Sequence, residues 1–206
     1  MIFDVYYPFY SQKKQGLVPG IKPVPMEYSR IKNEVLSSQT VRIAIEKHRA
    51  GEPDQKITLP SICFVGHCTS TRKNAAMIPT QFVMIDIDHV KDPNQAWEAF
   101  KTLMTWDWIC DNVLLAHLTP SRGIHIYFRA QEGLTTLQEN MNWLNDQVNF
   151  GQWGDYDSVV HDFARISFAF LADEILFENT YPPSVLLKSA LNSSKNLRKH
   201  LSSRFL

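Results

Sequence analysis

The sequence predicts an α+β fold in which a mainly antiparallel sheet carries helices on one or both faces. Strand-like and helix-like segments alternate, but without the regular strand–helix–strand rhythm that is typical of a doubly wound parallel sheet. Two strand-like segments, NVLLAHLT and IHIYFRA, are separated only by the residues PSRG. So short a connection indicates an antiparallel hairpin, because parallel strands need a long crossover.

The remaining elements follow from periodicity and from helix-end signals. Residues 27–50 predict a helix that ends at Gly51, and ITLPSICFVGH predicts a strand interrupted by Pro60. Asp92 followed by Pro93 predicts the start of a second helix. A third amphipathic pattern and a last strand, ARISFAF, complete the set; the third pattern consists of Leu134, Leu137, Met141, Leu144 and Val148.

Length and composition indicate a single domain over residues 1–206, with a basic and helical C-terminal segment at 184–206. The formal net charge is zero, which argues against a broad nonspecific nucleic-acid coat but leaves room for a local basic patch. No apolar stretch reaches membrane-spanning length, and the N-terminus lacks a secretory pattern. Three cysteines without a C-x-x-C pair fit a reducing compartment, so we expect a cytoplasmic protein with no membrane partner.

The segment FVMIDIDHV, residues 82–90, is an apolar strand that carries two acids on one side. Alternation places Val83, Ile85 and Ile87 on one face, and Asp86 and Asp88 on the other. The two acids are roughly 7 Å apart along the strand. A shared cation would relieve their repulsion, and oxygen ligands suit Mg²⁺ or Mn²⁺. The alternative is a solvated or salt-bridged acid pair at a strand end.

A second polar cluster lies in TPSRGIHIYFRA, residues 119–130. Ser121, Arg122 and Gly123 form the hairpin turn, and His125 lies on the face of its strand opposite to Ile124. A hydroxyl, backbone N–H groups and an imidazole can together bind phosphate oxygens. The alternative is a hairpin whose histidine is an ordinary hydrogen-bonded sheet residue.

A third acid and several basic residues complete the candidate site. Asp157 follows a glycine turn in GDYDSVVHDFARISFAF, where the alternative is a surface turn with capping acids. A third carboxylate beside Asp86 and Asp88 would make a two-metal type of site. The candidates for binding phosphates of a nucleotide or a nucleic acid are Arg72, Lys73, Arg122 and Arg165.

The order of these motifs resembles the archaeo-eukaryotic primase (primase-polymerase) superfamily, and most closely its VirE N-terminal domain family. The matching segments are LPSICFVG, STRKN, MIDIDHV, the S-x-G-x-H hairpin and GDYDSVVHDFARISF, which together cover residues 57–170. The resemblance implies an RRM-like, mainly antiparallel sheet with flanking helices and a smaller α/β module. It also implies a setting in DNA replication or on a mobile element.

The resemblance further implies roles for single residues. Asp86, Asp88 and Asp157 would be catalytic acids that bind Mg²⁺ or Mn²⁺. Ser121 and His125 would bind the phosphates of a nucleoside triphosphate. Arg165 would either bind phosphate or form a structural ion pair with Asp157 or Asp162. The other partner would be single-stranded or primed nucleic acid; the chain has no G-x-x-x-x-G-K-[ST] loop, so a separate helicase would do any unwinding.

Three functions compete at this point. The first is a primase-polymerase that adds nucleotides to a nucleic-acid strand. The second is a catalytically inactive nucleic-acid-binding accessory domain, and the third is a metal-dependent nuclease. The S-x-G-x-H hairpin favours synthesis over hydrolysis, and three acids would not help a pure binder of phosphate backbones. Whether the product is DNA or RNA, and whether synthesis starts without a primer, stay open.

Overall fold

The structure, a computed structural model, describes residues 1–72, 76–134, 136–158 and 164–179. Within these residues it is an α+β protein with antiparallel sheets, as predicted. Lys73, Asp162 and the basic segment 184–206 lie outside the described residues, so the predictions made for them stay predictions.

Thirteen described strands are arranged in four antiparallel groups. In chain order they are β1 (Ile2–Tyr6), β2 (Phe9–Ser11), β3 (Gly16–Val18), β4 (Val24–Glu27), β5 (Ser61–Cys63), β6 (Gly66–Cys68), β7 (Met77–Pro79), β8 (Phe82–Asp88), β9 (Val113–Leu118), β10 (Ile124–Arg129), β11 (Asp155–Tyr156), β12 (Ser167–Phe168) and β13 (Ile175–Glu178). The central sheet has the order β11-β8-β10-β9-β13, and the N-terminal sheet has the order β12-β5-β1-β4. Strands β2 and β3, and strands β6 and β7, form two separate hairpins.

The helices lie mainly between these strands. They are α1 (Tyr28–Arg30), a π-helix (Ile31–Leu36), α2 (Gln39–Arg49), α3 (Pro93–Leu103), α4 (Trp106–Asn112) and α5 (Leu137–Val148), with 3₁₀ helices at Pro53–Thr58, Phe150–Gln152 and Ala172–Glu174. None of the described helices is long and apolar enough to cross a membrane.

Two helix boundaries differ from the sequence prediction for identifiable reasons. The helix predicted over 27–50 is interrupted after Leu36, where the Ser37 hydroxyl donates a hydrogen bond to the Lys32 carbonyl at 2.8 Å. Helix α5 begins at Leu137 rather than Leu134, because Thr136 and Glu139 form a capping box that defines its start. The predicted Asp92 cap is confirmed, since its carboxylate accepts from the backbone N–H of Asn94 and Gln95.

The central sheet is buried on both faces. On one face Val83, Ile85 and Ile87 pack in a core with residues from α3, α4 and α5. On the other face Met84 and Tyr127 pack in a second core with residues of the N-terminal sheet. The predicted alternation along β8 is therefore confirmed, but the face that carries the acids is also covered over part of its length.

Two close backbone approaches hold the C-terminal end of β8. A Cβ atom on Gly123 would lie 2.6 Å from the Ile87 carbonyl oxygen, and a Cβ atom on Gly154 would lie 2.4 Å from the Asp88 carbonyl oxygen. Real Cβ atoms do not approach backbone so closely. The β9–β10 turn and the chain before β11 therefore both require glycine where they meet the acidic strand.

We expect Gly154→Ala to lower the free energy of unfolding by about 1–3 kcal/mol, because the added methyl group must displace the backbone of β8. Gly151→Ala is the matched control in the same loop, since the nearest atom to its added Cβ would be 3.9 Å away. Urea unfolding of both variants measures the difference. Equal stabilities would contradict the tight approach at Gly154.

Candidate functional site

The candidate site lies where the polar face of the central sheet meets β12 of the N-terminal sheet. Antiparallel pairing places Asp86 of β8 opposite His125 of β10, and His125 opposite His117 of β9. Residues that are directly opposite in neighbouring strands share a face and are in side-chain contact. The register of three strands therefore builds one row of polar side chains.

His125 connects the two sheets. Its Nε2 is 3.1 Å from Asp86 Oδ1, and its Nδ1 is 2.9 Å from the Ser167 hydroxyl in β12. An ionised carboxylate only accepts hydrogen bonds, so this contact favours the forms of His125 that carry a proton on Nε2. Both Asp86 and His125 are only 8% exposed, so this contact is shielded from water.

The polar row continues to His117, which is completely buried. Its Nε2 is 3.5 Å from the Ser167 hydroxyl, its Nδ1 is 2.9 Å from the Leu118 carbonyl oxygen, and its ring stacks on Phe170 at 3.4 Å. Burial, and then the charge on His125, lower the pKa of His117 well below its ordinary value. His117 is therefore neutral at pH 7 and extends the hydrogen-bonded row without adding charge.

Arg165 joins two of the predicted acids. Its guanidinium nitrogens are 2.5 Å from Asp86 Oδ2 and 2.9 Å from Asp157 Oδ2. Of the two roles predicted for Arg165, the geometry is that of the ion pair with Asp157, and it adds Asp86 as a second partner. The Cys63 thiol donates to the Arg165 carbonyl at 3.2 Å, which ties the base of this arginine to β5.

The antiparallel pairing of β11 with β8 places Asp157 beside Asp86. Tyr156 of β11 pairs with Ile87, so the next residue, Asp157, lies opposite Asp86, and its backbone N–H donates to the Asp86 carbonyl at 3.1 Å. Asp155 contacts a different residue: its carboxylate is 2.8 Å from His89 Nδ1 at the surface. Of these two acids, the structure brings Asp157 to the buried carboxylate of Asp86.

Charge interactions keep Asp86 ionised despite its burial. Burial alone would raise its pKa, but the hydrogen bonds and charges of His125 and Arg165 outweigh burial and hold the pKa well below its ordinary value. Burial likewise opposes the charged form of Arg165, yet its pairing with Asp86 and Asp157 raises the pKa of the guanidinium above its ordinary value. The ionised forms of Asp86 and Arg165 therefore stabilise each other.

Asp88 lies at the exposed end of β8. One of its carboxylate oxygens is 3.2 Å from the position that a Cβ atom on Gly123 would take, so the carboxylate lies against the β9–β10 turn. Among the described residues, no three His, Cys, Asp or Glu side chains are grouped closely enough to hold a metal ion. Where a cation between Asp86 and Asp157 is expected, the guanidinium of Arg165 is present.

The side chain of Ser121, in the β9–β10 turn, contacts residues of two helical segments and not His125. The Ser121 hydroxyl is 3.1 Å from His48 Nε2 and 3.2 Å from Lys56 Nζ. Arg122 is exposed in the turn with a φ of 66°. Arg72 lies elsewhere, with its guanidinium 5.9 Å from the centre of the Tyr6 ring.

Four polar residues of this region were not identified from the sequence: His48, Lys56, His117 and Ser167. His117 could have been found, because the short turn of the hairpin fixes which residue of β9 faces His125. The contact of Ser167 with His125 depends on how two sheets meet. His48 and Lys56 come from helices whose positions carry no signal in the linear sequence.

We expect Arg165→Ala to lower the free energy of unfolding at pH 7 by about 3 kcal/mol, since it leaves the buried charge of Asp86 with one cation fewer. Because Arg165 lowers the pKa of Asp86, that pKa rises in the variant, and the difference in stability between the two proteins shrinks at acidic pH as Asp86 becomes protonated in the variant. Chemical unfolding between pH 3 and pH 7 measures this.

Arg42→Ala is the control for the loss of an arginine, because Arg42 pairs with Asp173 at the surface. We expect a much smaller loss of stability that varies little over the same pH range. If Arg165→Ala were as stable as Arg42→Ala at pH 7, the buried ion pair would not contribute as described.

Comparison with known proteins yields one family. The family model described as "BT4734-like, N-terminal domain" matches residues 54–167, which is more than half of the chain. The matched region includes Asp86, Asp88, His125, Asp157 and Arg165. No curated protein and no solved structure matches the chain. From the extent of the match, the chain belongs to the BT4734-like N-terminal domain family.

Proposed function

We propose that this protein is a metal-dependent nucleotidyltransferase of the primase-polymerase type, which adds nucleotides to a nucleic-acid strand in replication or mobile-element maintenance. The observation that carries the proposal is the convergence of Asp86 and Asp157 from distant parts of the sequence. Their backbones are joined by a hydrogen bond of 3.1 Å, and both carboxylates bind one guanidinium. Two buried or half-buried acids that need a cation are the core of such a site.

The donor set fits Mg²⁺ or Mn²⁺ in its chemistry. Asp86, Asp88 and Asp157 offer only carboxylate oxygens, which are the ligands that hard divalent cations prefer. A bound cation would neutralise charge that develops on the phosphates. Arg165 supplies positive charge to two of these carboxylates, Asp86 and Asp157. For them to hold a divalent cation, Arg165 would have to release at least one carboxylate, and its guanidinium could then bind a phosphate oxygen of the substrate.

The reaction would be an in-line displacement at the α-phosphorus of a nucleoside triphosphate. The 3′-hydroxyl oxygen of the growing strand forms the new bond, its proton is lost to solvent, and pyrophosphate leaves. Both ring nitrogens of His125 are in contact with Asp86 and Ser167, so His125 would bind a phosphate oxygen only by giving up one of these two contacts. Ser121 and Arg122, in the turn beside Asp88, would contact the leaving phosphates.

A second function, a nucleic-acid-binding accessory domain without turnover, is favoured by one specific observation. The Asp86 and Asp157 carboxylates are already neutralised by Arg165, which is the arrangement expected of a structural ion-pair network. Such a domain would bind nucleic acid with a separate helicase or polymerase as its partner. The two functions differ in whether divalent metal displaces Arg165 and produces turnover.

The test is incorporation of labelled dNTPs and NTPs on single-stranded and primed templates with Mg²⁺ or Mn²⁺. We expect metal-dependent products from the natural protein, and a loss of at least about 100-fold in Asp86→Ala/Asp88→Ala and in Asp157→Ala, since each removes carboxylates on which charge stabilisation depends. EDTA should abolish the products.

Asp155→Ala is the matched control, because Asp155 lies two residues before Asp157 but pairs with His89 at the surface. It should retain nearly full activity. If the natural protein is folded and makes no product with either metal, but binds single-stranded nucleic acid, the accessory-domain function replaces the enzymatic one. Degradation of the template in place of extension would support a nuclease.

A further inference from the structure

We call Asp86, Asp88 and Asp157 the acidic cluster. A second cluster of polar side chains includes the turn that lies against Asp88, and it contains a lysine in place of carboxylates. It consists of His48 at the end of α2, Lys56 in the 3₁₀ helix and Ser121 in the β9–β10 turn; this set is the basic cluster. His48 Nε2 and Lys56 Nζ are 3.1 Å and 3.2 Å from the same Ser121 hydroxyl. Three separate elements therefore direct their polar atoms to one point.

The ammonium group of Lys56 contacts a hydroxyl in this cluster. Within the described residues neither His48 nor Lys56 forms an ion pair with a carboxylate. Glu174, the carboxylate of the adjoining 3₁₀ helix, is engaged by Arg49 at 2.6 Å. An ammonium group whose hydrogen-bond partner here is a neutral hydroxyl retains its attraction for an anion.

The scaffold behind the basic cluster is rigid. Arg49 donates to the carbonyl oxygens of Pro120 and Thr119 at 3.0 Å and 3.2 Å, so the turn that presents Ser121 is tied to the end of α2. Lys56 Nζ is 5.5 Å from the centre of the Phe168 ring, a cation–π contact that orients the amine. Side chains held in this way bind a ligand with little loss of conformational entropy.

The basic cluster and the acidic cluster share two structural elements. Phe168 follows Ser167, whose hydroxyl is 2.9 Å from His125 Nδ1. Ser121 is two residues before Gly123, where an added Cβ atom would lie 3.2 Å from the Asp88 carboxylate. A ligand that reaches the acids and extends along this turn would therefore meet His48 and Lys56 next.

We propose that His48, Lys56 and Ser121 bind the terminal phosphates of a nucleoside triphosphate. The identity of the ligand as a nucleotide rests on the proposed function, whereas the affinity for a polyphosphate anion does not. A triphosphate concentrates its negative charge over a few atoms and so matches a lysine ammonium group, an imidazole nitrogen and a hydroxyl that converge on one point. His48 and Lys56 thereby become specificity residues for polyphosphate, while the acids hold the reacting end of the same ligand.

The experiment measures binding of inorganic tripolyphosphate to the full chain by calorimetry, in EDTA, so that neither divalent metal nor turnover contributes. We expect binding by the natural protein and a roughly ten- to hundredfold weaker affinity in Lys56→Gln and in His48→Ala, since the first loses a charge-assisted hydrogen bond and the second loses a polar contact of the imidazole. Lys56→Arg should recover most of the affinity. Lys13→Gln, at an exposed lysine in the β2–β3 turn, is the control and should bind as the natural protein does.

Two comparisons separate this proposal from the proposed function and from another phosphate source. If tripolyphosphate binds through His48 and Lys56 but no nucleotide is incorporated, the phosphate site stands and the polymerase function falls. A single-stranded oligonucleotide without a triphosphate is the second probe. If Lys56→Gln weakens its binding but not that of tripolyphosphate, the site binds a nucleic-acid backbone and the proposal is overturned. Equal tripolyphosphate affinity in Lys56→Gln and Lys13→Gln also overturns it.

Discussion

The buried carboxylate of Asp86 is the group around which the two sheets are joined. Placing an ionised acid in a protein interior is strongly unfavourable unless cations and hydrogen-bond donors surround it. Here the donors come from both sheets: His125 from the central sheet, and Arg165 from the chain leading into β12 of the N-terminal sheet. Each partner is held in turn by a further contact. The contacts that His125 and Arg165 make at this junction therefore depend on the charge of Asp86.

The hydrogen bonds of this junction restrict the relative position of the two sheets more than apolar packing alone would. The apolar residues on this face, such as Met84 and Tyr127, tolerate small shifts between the sheets. The hydrogen bond of His125 with Ser167 tolerates much less, because its strength falls steeply with distance and angle. The buried polar row thus defines the distance between the sheets, and with it the positions of the acids.

Much of the fold could be predicted from the sequence, because its signals are local. Alternation along β8, the Asp92 cap and the short β9–β10 hairpin each depend on neighbouring residues, and all three are present. The start of α5 could also have been found, since Thr136 and Glu139 have capping-box spacing. Local sequence patterns do not indicate which other part of the chain covers a given strand. The burial of the acid-bearing face of β8 follows from the N-terminal sheet, which belongs to distant parts of the chain.

The same distinction applies to the candidate site, where residue types were easier to predict than partners. The sequence predicts Asp86 and His125 on strands, Asp157 after a glycine turn and Arg165 as a basic residue near it, and these four residues lie together. The placement of Arg165 between two carboxylates required knowledge of β11 pairing with β8. The β9–β10 turn contacts Lys56 through Ser121, and the Asp88 carboxylate is 3.2 Å from the position of a Cβ atom on Gly123. Both contacts join residues that are distant in the sequence, so the pattern of charges around this turn depends on the tertiary fold.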